Sequence, residues 1–79
     1  MILAIDIGNT NIVLGCMDGK KRYFTERLST NKTKMEMEYA IDIRMIMDIN
    51  GVSPEEIEGA IISSVVPPLT MILQEALYK

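Results

Sequence analysis

The sequence predicts an α/β fold, a mixed sheet of strand order 3-2-1-4 with a crossover helix. Three observations point to it. Residues 2–7 and 60–66 are short, nearly continuous apolar runs, the composition of strands buried on both faces. The first run is followed by turn residues, a second β-rich run and an Asp18-Gly19 hairpin signal, so three antiparallel strands open the chain. After residue 33 the apolar residues recur at three- and four-residue steps, the mark of an amphipathic helix. Such a helix can return the chain beside its first strand, parallel to it, by the usual right-handed crossover.

Composition bounds the function classes. The chain has 79 residues, enough for one domain at most. It is 48 % hydrophobic and 24 % charged, which excludes the low-hydrophobicity, high-charge class of disordered chains. No apolar run approaches the ~18 residues of a membrane span. The amino terminus has neither the basic region nor the cleavage site of a signal peptide. A single cysteine, Cys16, excludes an intramolecular disulfide and fits a reducing compartment, hence the cytoplasm. With no histidine, imidazole-based acid–base chemistry and histidine-containing zinc sites are absent. A net charge of −3 argues against a general nucleic-acid partner. A chain of this size buries only about 60 % of its unfolded surface. It therefore reads as a piece of something larger.

The elements follow in order. Gly8-Asn9-Thr10-Asn11 is turn chemistry after the first strand, because glycine permits and asparagine tolerates a positive φ. Residues 12–17 resume as a strand. Asp18-Gly19 predicts a type I′ turn, with positive φ at both positions. Residues 20–28, with Tyr23 and Phe24 among charges, form a third strand toward the solvent edge. Thr33 and Glu36 have the spacing of a capping box. Met35, Tyr39, Ile43, Ile46 and Ile49 then form the apolar helix face, and Asn50-Gly51 stops it. Ser53-Pro54-Glu55-Glu56 starts a short helical turn that Gly59 ends. Pro67-Pro68 breaks the second apolar strand and opens a helix. Leu69, Ile72, Leu73, Ala76 and Leu77 make its stripe, and the helix runs unfinished to Lys79. The fourth strand would have an open edge.

One segment carries candidate chemistry. Asp6 interrupts an apolar strand just before a glycine turn, where a carboxylate is costly unless paired, hydrogen-bonded or bound to metal. Gly8 lets a ligand approach the backbone, and Asn9, Thr10 and Asn11 add donors. Such a turn can hold magnesium-bound phosphate: the carboxylate suits the metal or its waters, and the turn takes the phosphate oxygens. The same residues also fit a plain hairpin that Asp and Asn merely stabilise.

The sequence from Met1 to Asn11, with Ile-Ile-Ser-Ser-Val-Val-Pro-Pro at 61–68, resembles the type III pantothenate kinases. These belong to the superfamily of acetate and sugar kinases, heat-shock chaperones and actin. The D-x-G-N-T-N stretch is similar to that family's first phosphate motif, and the S-S-V-V-P-P stretch is a second match at the expected separation. The resemblance covers the whole chain. It implies the amino-terminal part, residues 1–79, of a ribonuclease H-like half-domain, truncated, with the rest of the kinase absent. It implies transfer of phosphate from ATP to pantothenate, the first step of coenzyme A synthesis. It assigns Asp6, Ile7, Gly8, Asn9, Thr10, Asn11, Ile12 and Val13 to the ATP phosphates, and Asp6 to magnesium, directly or through water. It also implies a monovalent cation, K⁺ or NH₄⁺, and a cytoplasmic homodimer. The G-A-D-R-like sequence that supplies the general base is absent from this chain, as are the second phosphate, adenosine and monovalent-cation motifs. The chain by itself is then expected to be inactive, with no catalytic residue of its own.

Two other readings stand beside this one. A non-catalytic family member resembling Bvg accessory factor, a transcription-linked protein, would share these motifs. A small α/β interaction module would use the turn for no nucleotide at all. Of the remaining residues, Ser63 and Ser64 fit either substrate contacts or ordinary strand-end hydrogen bonds. Cys16 reads as a small buried hydrophobe, and Lys20-Lys21-Arg22 as a solvated hairpin. Met35, Met37, Met45 and Met47 read as core filling and cover for a missing neighbour.

Overall fold

Alternation of apolar and polar residues builds the sheet strand by strand. In the computed structural model, which describes residues 1–78, β1 (Ile2–Ile7), β2 (Asn11–Asp18) and β3 (Lys21–Ser29) form an antiparallel meander. Helix α1 (Glu36–Ile49) and a 3₁₀ turn (Pro54–Glu56) carry the chain across to β4 (Gly59–Ser64). Strand β4 runs parallel to β1, in register from Ile2 opposite Gly59 to Ile7 opposite Ser64. The order is β3-β2-β1-β4, as expected for the ribonuclease H-like half-domain. Helix α2 (Pro67–Leu77) follows the proline pair. Lys79, to which the sequence carries this helix, lies outside the described residues.

The core lies on one face of the sheet. Leu3, Ile5, Ile7, Ile12, Leu14 and Cys16 point to that face and are buried. They join one cluster with Tyr39, Ile43 and Met47 of α1 and Leu69, Leu73 and Ala76 of α2. Burying each large aliphatic side chain contributes ~1.5–3 kcal/mol. The expectation that residues 2–7 and 60–66 are buried on both faces is corrected. In β1 every second residue is exposed after Ile2, and in β4 Ala60, Ile61 and Ser63 are exposed. Both helices pack on the same side, so among the described residues the second face has no cover.

Three local expectations change for physical reasons. At the hairpin, Asp18 pairs with Lys21, which leaves Gly19 and Lys20 as the central residues. Gly19 alone takes positive φ, at 62°. That is the pattern of a type II′ turn, not the I′ turn across Asp18-Gly19, because Asp18 stays extended in the ladder. Strand β3 bulges at Tyr23, since Cys16 opposes Phe24 and Met17 opposes Arg22. At the start of α1, Thr33 does not cap. Its N–H and hydroxyl both donate to Asn31 Oδ1, at 2.9 and 2.6 Å, in an Asx-type turn. The helix begins after Met35, whose N–H donates to Glu38 Oε1 at 3.0 Å. The apolar face of α1 shifts accordingly. Tyr39, Ala40, Ile43 and Met47 are buried, while Met35 and Ile49 are exposed. The methionines split the same way, with Met47 in the core and Met35, Met37 and Met45 on the surface.

The far end of α1 closes as its sequence dictates. Gly51 takes φ 73°, the left-handed stop. Asn50 Nδ2 donates to Ile46 O at 2.8 Å and to Glu26 Oε2 at 3.0 Å, tying this end to β3.

Candidate functional site

The Asp6–Val13 segment turns over at the end of β1, where the strand order places it between β4 and β3. Strand alternation sorts its side chains. Ile7 and Ile12 enter the core and anchor the two ends of the turn, so only their backbones remain for a ligand. Asp6 and Val13 are paired across the strands on the uncovered face, and Ser63 stands opposite Asp6 on β4. Asn9, Thr10 and Asn11 are exposed at the tip. Because Asp6 is exposed, the burial cost expected from its apolar neighbours does not arise.

The backbone of the turn has a definite polarity. Gly8 N–H donates to Asn11 O at 2.9 Å and closes the turn. Val65 N–H donates to Ile7 O at 3.0 Å. Thr30 N–H donates to Thr10 O at 2.9 Å, and the Thr30 hydroxyl donates to Gly8 O at 2.8 Å. The carbonyls of residues 7, 8, 10 and 11 are thus occupied by protein donors. Among the described residues, the N–H groups of Asn9 and Thr10 have no protein acceptor. A turn with four of its carbonyls bonded within the protein and two adjacent amides open favours an anion. Gly8 is required by space. A Cβ there would stand 3.0 Å from the Asn11 carbonyl oxygen that the closing bond uses.

The fit of magnesium rests on the donor set. Among the described residues no three histidine, cysteine, aspartate or glutamate side chains come together. Asp6 is a single carboxylate beside an anion-favouring turn. That set suits a magnesium ion carried largely by phosphate oxygens and water.

Thr30 is the residue that sequence reasoning missed. It lies 22 positions from Gly8, and only the pairing of β3 with β2 brings it there. No local spacing marks it. Of the two serines, Ser64 takes the strand-end reading. Ser64 Oγ accepts from Val66 N–H at 3.0 Å and donates to Val66 O at 3.1 Å, an ordinary strand-end exchange. Ser63 lines a shallow groove of 390 Å³ on the uncovered face with Asp6, Gly15, Arg22 and Ile61. A larger groove of 680 Å³ runs between β4 and α2, but it contains no residue of the turn. Cys16 is buried at the far end of β2, where burial pushes its thiol pKa up and keeps it protonated.

Residues 2–79 match the family model described as type III pantothenate kinase. A type III pantothenate kinase of an Exiguobacterium species is 48 % identical over 75 residues, covering 95 % of this chain and 30 % of that protein. One of Geobacter sulfurreducens is 47 % identical over 74 residues, covering 94 % and 29 %. One of Halalkalibacterium halodurans is 43 % identical over 79 residues, covering 100 % and 31 %. The chain therefore spans slightly under a third of the length of these relatives.

Proposed function

The chain belongs to the type III pantothenate kinase family, and on that premise we propose that Asp6–Val13 holds the phosphates of ATP within a longer pantothenate kinase. In this reading the chain is the amino-terminal part of the first ribonuclease H-like domain. The complete protein would phosphorylate pantothenate in coenzyme A synthesis, as a cytoplasmic homodimer. The observation that carries the reading is the polarity of the turn, with the carbonyls of Ile7, Gly8, Thr10 and Asn11 bonded within the protein and the Asn9 and Thr10 amides open. The hydroxyl of Thr10 and the amides of Asn9 and Asn11 supply further donors at the same tip. Asp6 stands one strand residue away on the open face, placed to bind magnesium or one of its waters. Bound magnesium neutralises charge on the phosphates, and K⁺ or NH₄⁺ would be held by sequence that this chain does not carry.

Phosphoryl transfer draws its rate from positioning and charge stabilisation. This chain contributes one wall of that arrangement. It fixes the phosphate oxygens through a turn anchored by Ile7 and Ile12 in the core. The general base and the adenosine-binding half belong to motifs of the longer kinase.

The test is ¹⁵N NMR of the chain titrated with magnesium-ATP to millimolar concentration. Shift changes concentrated at Gly8–Val13 are expected. Changes confined to the groove between β4 and α2, or none at the turn, overturn the assignment.

A further inference from the structure

We infer that Thr30 is a positioning residue for the phosphate turn, held in place by a reciprocal hydrogen-bond pair between Asn31 and Tyr39; the inference rests on the nucleotide-binding reading of that turn. Thr30 makes two of the bonds that shape the turn. Its hydroxyl donates to Gly8 O at 2.8 Å and its N–H to Thr10 O at 2.9 Å. The Gly8 carbonyl and the Asn9 N–H belong to one trans peptide, so drawing that carbonyl toward Thr30 turns the Asn9 amide away from it, while the bond to Thr10 O fixes the peptide that follows. Rotating the Gly8–Asn9 peptide would exchange the open Asn9 N–H for a C=O, which repels phosphate.

Thr30 is itself immobilised from the core. The next residue, Asn31, donates its N–H to Tyr39 Oη at 3.0 Å and accepts from that hydroxyl through its carbonyl at 2.6 Å. Tyr39 is fully buried in the first turn of α1. The loop between β3 and α1 is pinned a second time by Lys34, which pairs with Asp42 at 2.6 Å and lies 5.6 Å above the Tyr39 ring. The rigid helix thus reaches the turn through Tyr39, Asn31 and Thr30. A turn of exposed Asn and Thr residues needs such support, because within the turn itself the bond from Gly8 N–H to Asn11 O leaves the Asn9 and Thr10 peptides unrestrained.

The test uses the chain with Thr30→Val, Thr30→Ser and Tyr39→Phe. Amide exchange of Gly8, whose N–H closes the turn, is compared with that of Ile5 in the strand. Magnesium-ATP affinity is read from the shifts of Asn9 and Thr10. For Thr30→Val, Gly8 should exchange about tenfold faster and the nucleotide should bind about tenfold more weakly, the effect of losing one hydrogen bond. Ile5 protection should be unchanged. Thr30→Ser, which keeps the hydroxyl, should restore both quantities. Tyr39→Phe should move both in the same direction as Thr30→Val. Equal behaviour of Thr30→Val and wild type, or of Thr30→Val and Thr30→Ser, overturns the inference and leaves the nucleotide reading intact. If wild type shows no response to magnesium-ATP, the nucleotide reading fails and the inference fails with it. If Thr30→Val unfolds the whole chain, Tyr39→Phe decides. Selective loss of Gly8 protection supports the inference, and uniform loss with Ile5 overturns it.

Discussion

At the scale of single residues, the site is governed by which way a strand points each side chain. Asp6 is exposed and carries no structural bond among those of the described residues. In the longer kinase, Asp6→Asn should lower kcat/KM by about 10²–10³-fold, the scale for removing one key electrostatic group. Its thermal midpoint should stay within a degree or two of wild type, because surface changes cost about 0.5 kcal/mol or less. Steady-state assay and a thermal melt on the same sample check both halves. Gly8→Ala is the converse case. The added Cβ meets backbone, not a flexible side chain, at 3.0 Å. It should destabilise the chain by about 1 kcal/mol by straining the bond from Gly8 N–H to Asn11 O. Urea denaturation measures this. The identity of Asp6, Gly8 and the Asn residues was readable from the sequence, since turn chemistry is local. Thr30 was not, since its partner is set by strand register.

At the scale of elements, α1 does two jobs. Its inner face fills the core, and its first turn fixes the loop before it. Met47→Ala should cost about 2–5 kcal/mol, as for other buried large-to-small changes. Met45→Gln should change stability by less than about 0.5 kcal/mol, because Met45 is 58 % exposed. Comparing their urea midpoints tests the division of the methionines. The Lys34–Asp42 pair gives a pH signature. The hydrogen bond from Lys34 to Asp42 raises the Lys34 pKa above its ordinary 10.5, against a smaller opposing effect of burial. A raised folded-state pKa means the stabilisation is complete below pH 10.5 and is lost as pH climbs through the folded value. The pair is partly exposed, so its worth is about 0.5 kcal/mol. The stability of wild type and Asp42→Asn should therefore converge above pH 10.5, measured by denaturation from pH 8 upward. Helical spacing in the sequence located α1, but not its first residue. Asn31 competes with Thr33 for the role of organising the loop, and spacing alone does not weigh that competition.

At the scale of the whole molecule, the two edges of the sheet differ. Strand β3 carries Lys21, Arg22, Glu26 and Arg27, which discourage pairing with another strand. Strand β4 has no charge from Gly59 to Ser64, and Ile61 and Val65 beside its free edge are 65 % and 68 % exposed. The isolated chain should associate as its concentration rises, and Ile61→Lys should reduce that association. Sedimentation velocity across a hundredfold concentration range checks it. The isolated chain should also form no 4′-phosphopantothenate from pantothenate and magnesium-ATP in a mass-spectrometric assay. One wall of a cleft cannot hold two substrates in line, and positioning carries most of the rate.

By itself the sequence determined the element types, the strand order and the location of the turn. Those follow from apolar periodicity, glycine and proline placement and chain connectivity, all of which act over a few residues or obey general crossover rules. Tertiary structure alone decided which sheet face the helices cover, and therefore that Asp6 is exposed. It also decided that Thr30 bonds to the Gly8 and Thr10 carbonyls and that Tyr39 bonds to the backbone of the next residue, Asn31. These outcomes depend on pairs of groups far apart in the chain. Their hydrogen bonds exist only once the sheet register and the packing of α1 have brought donor and acceptor within 3 Å.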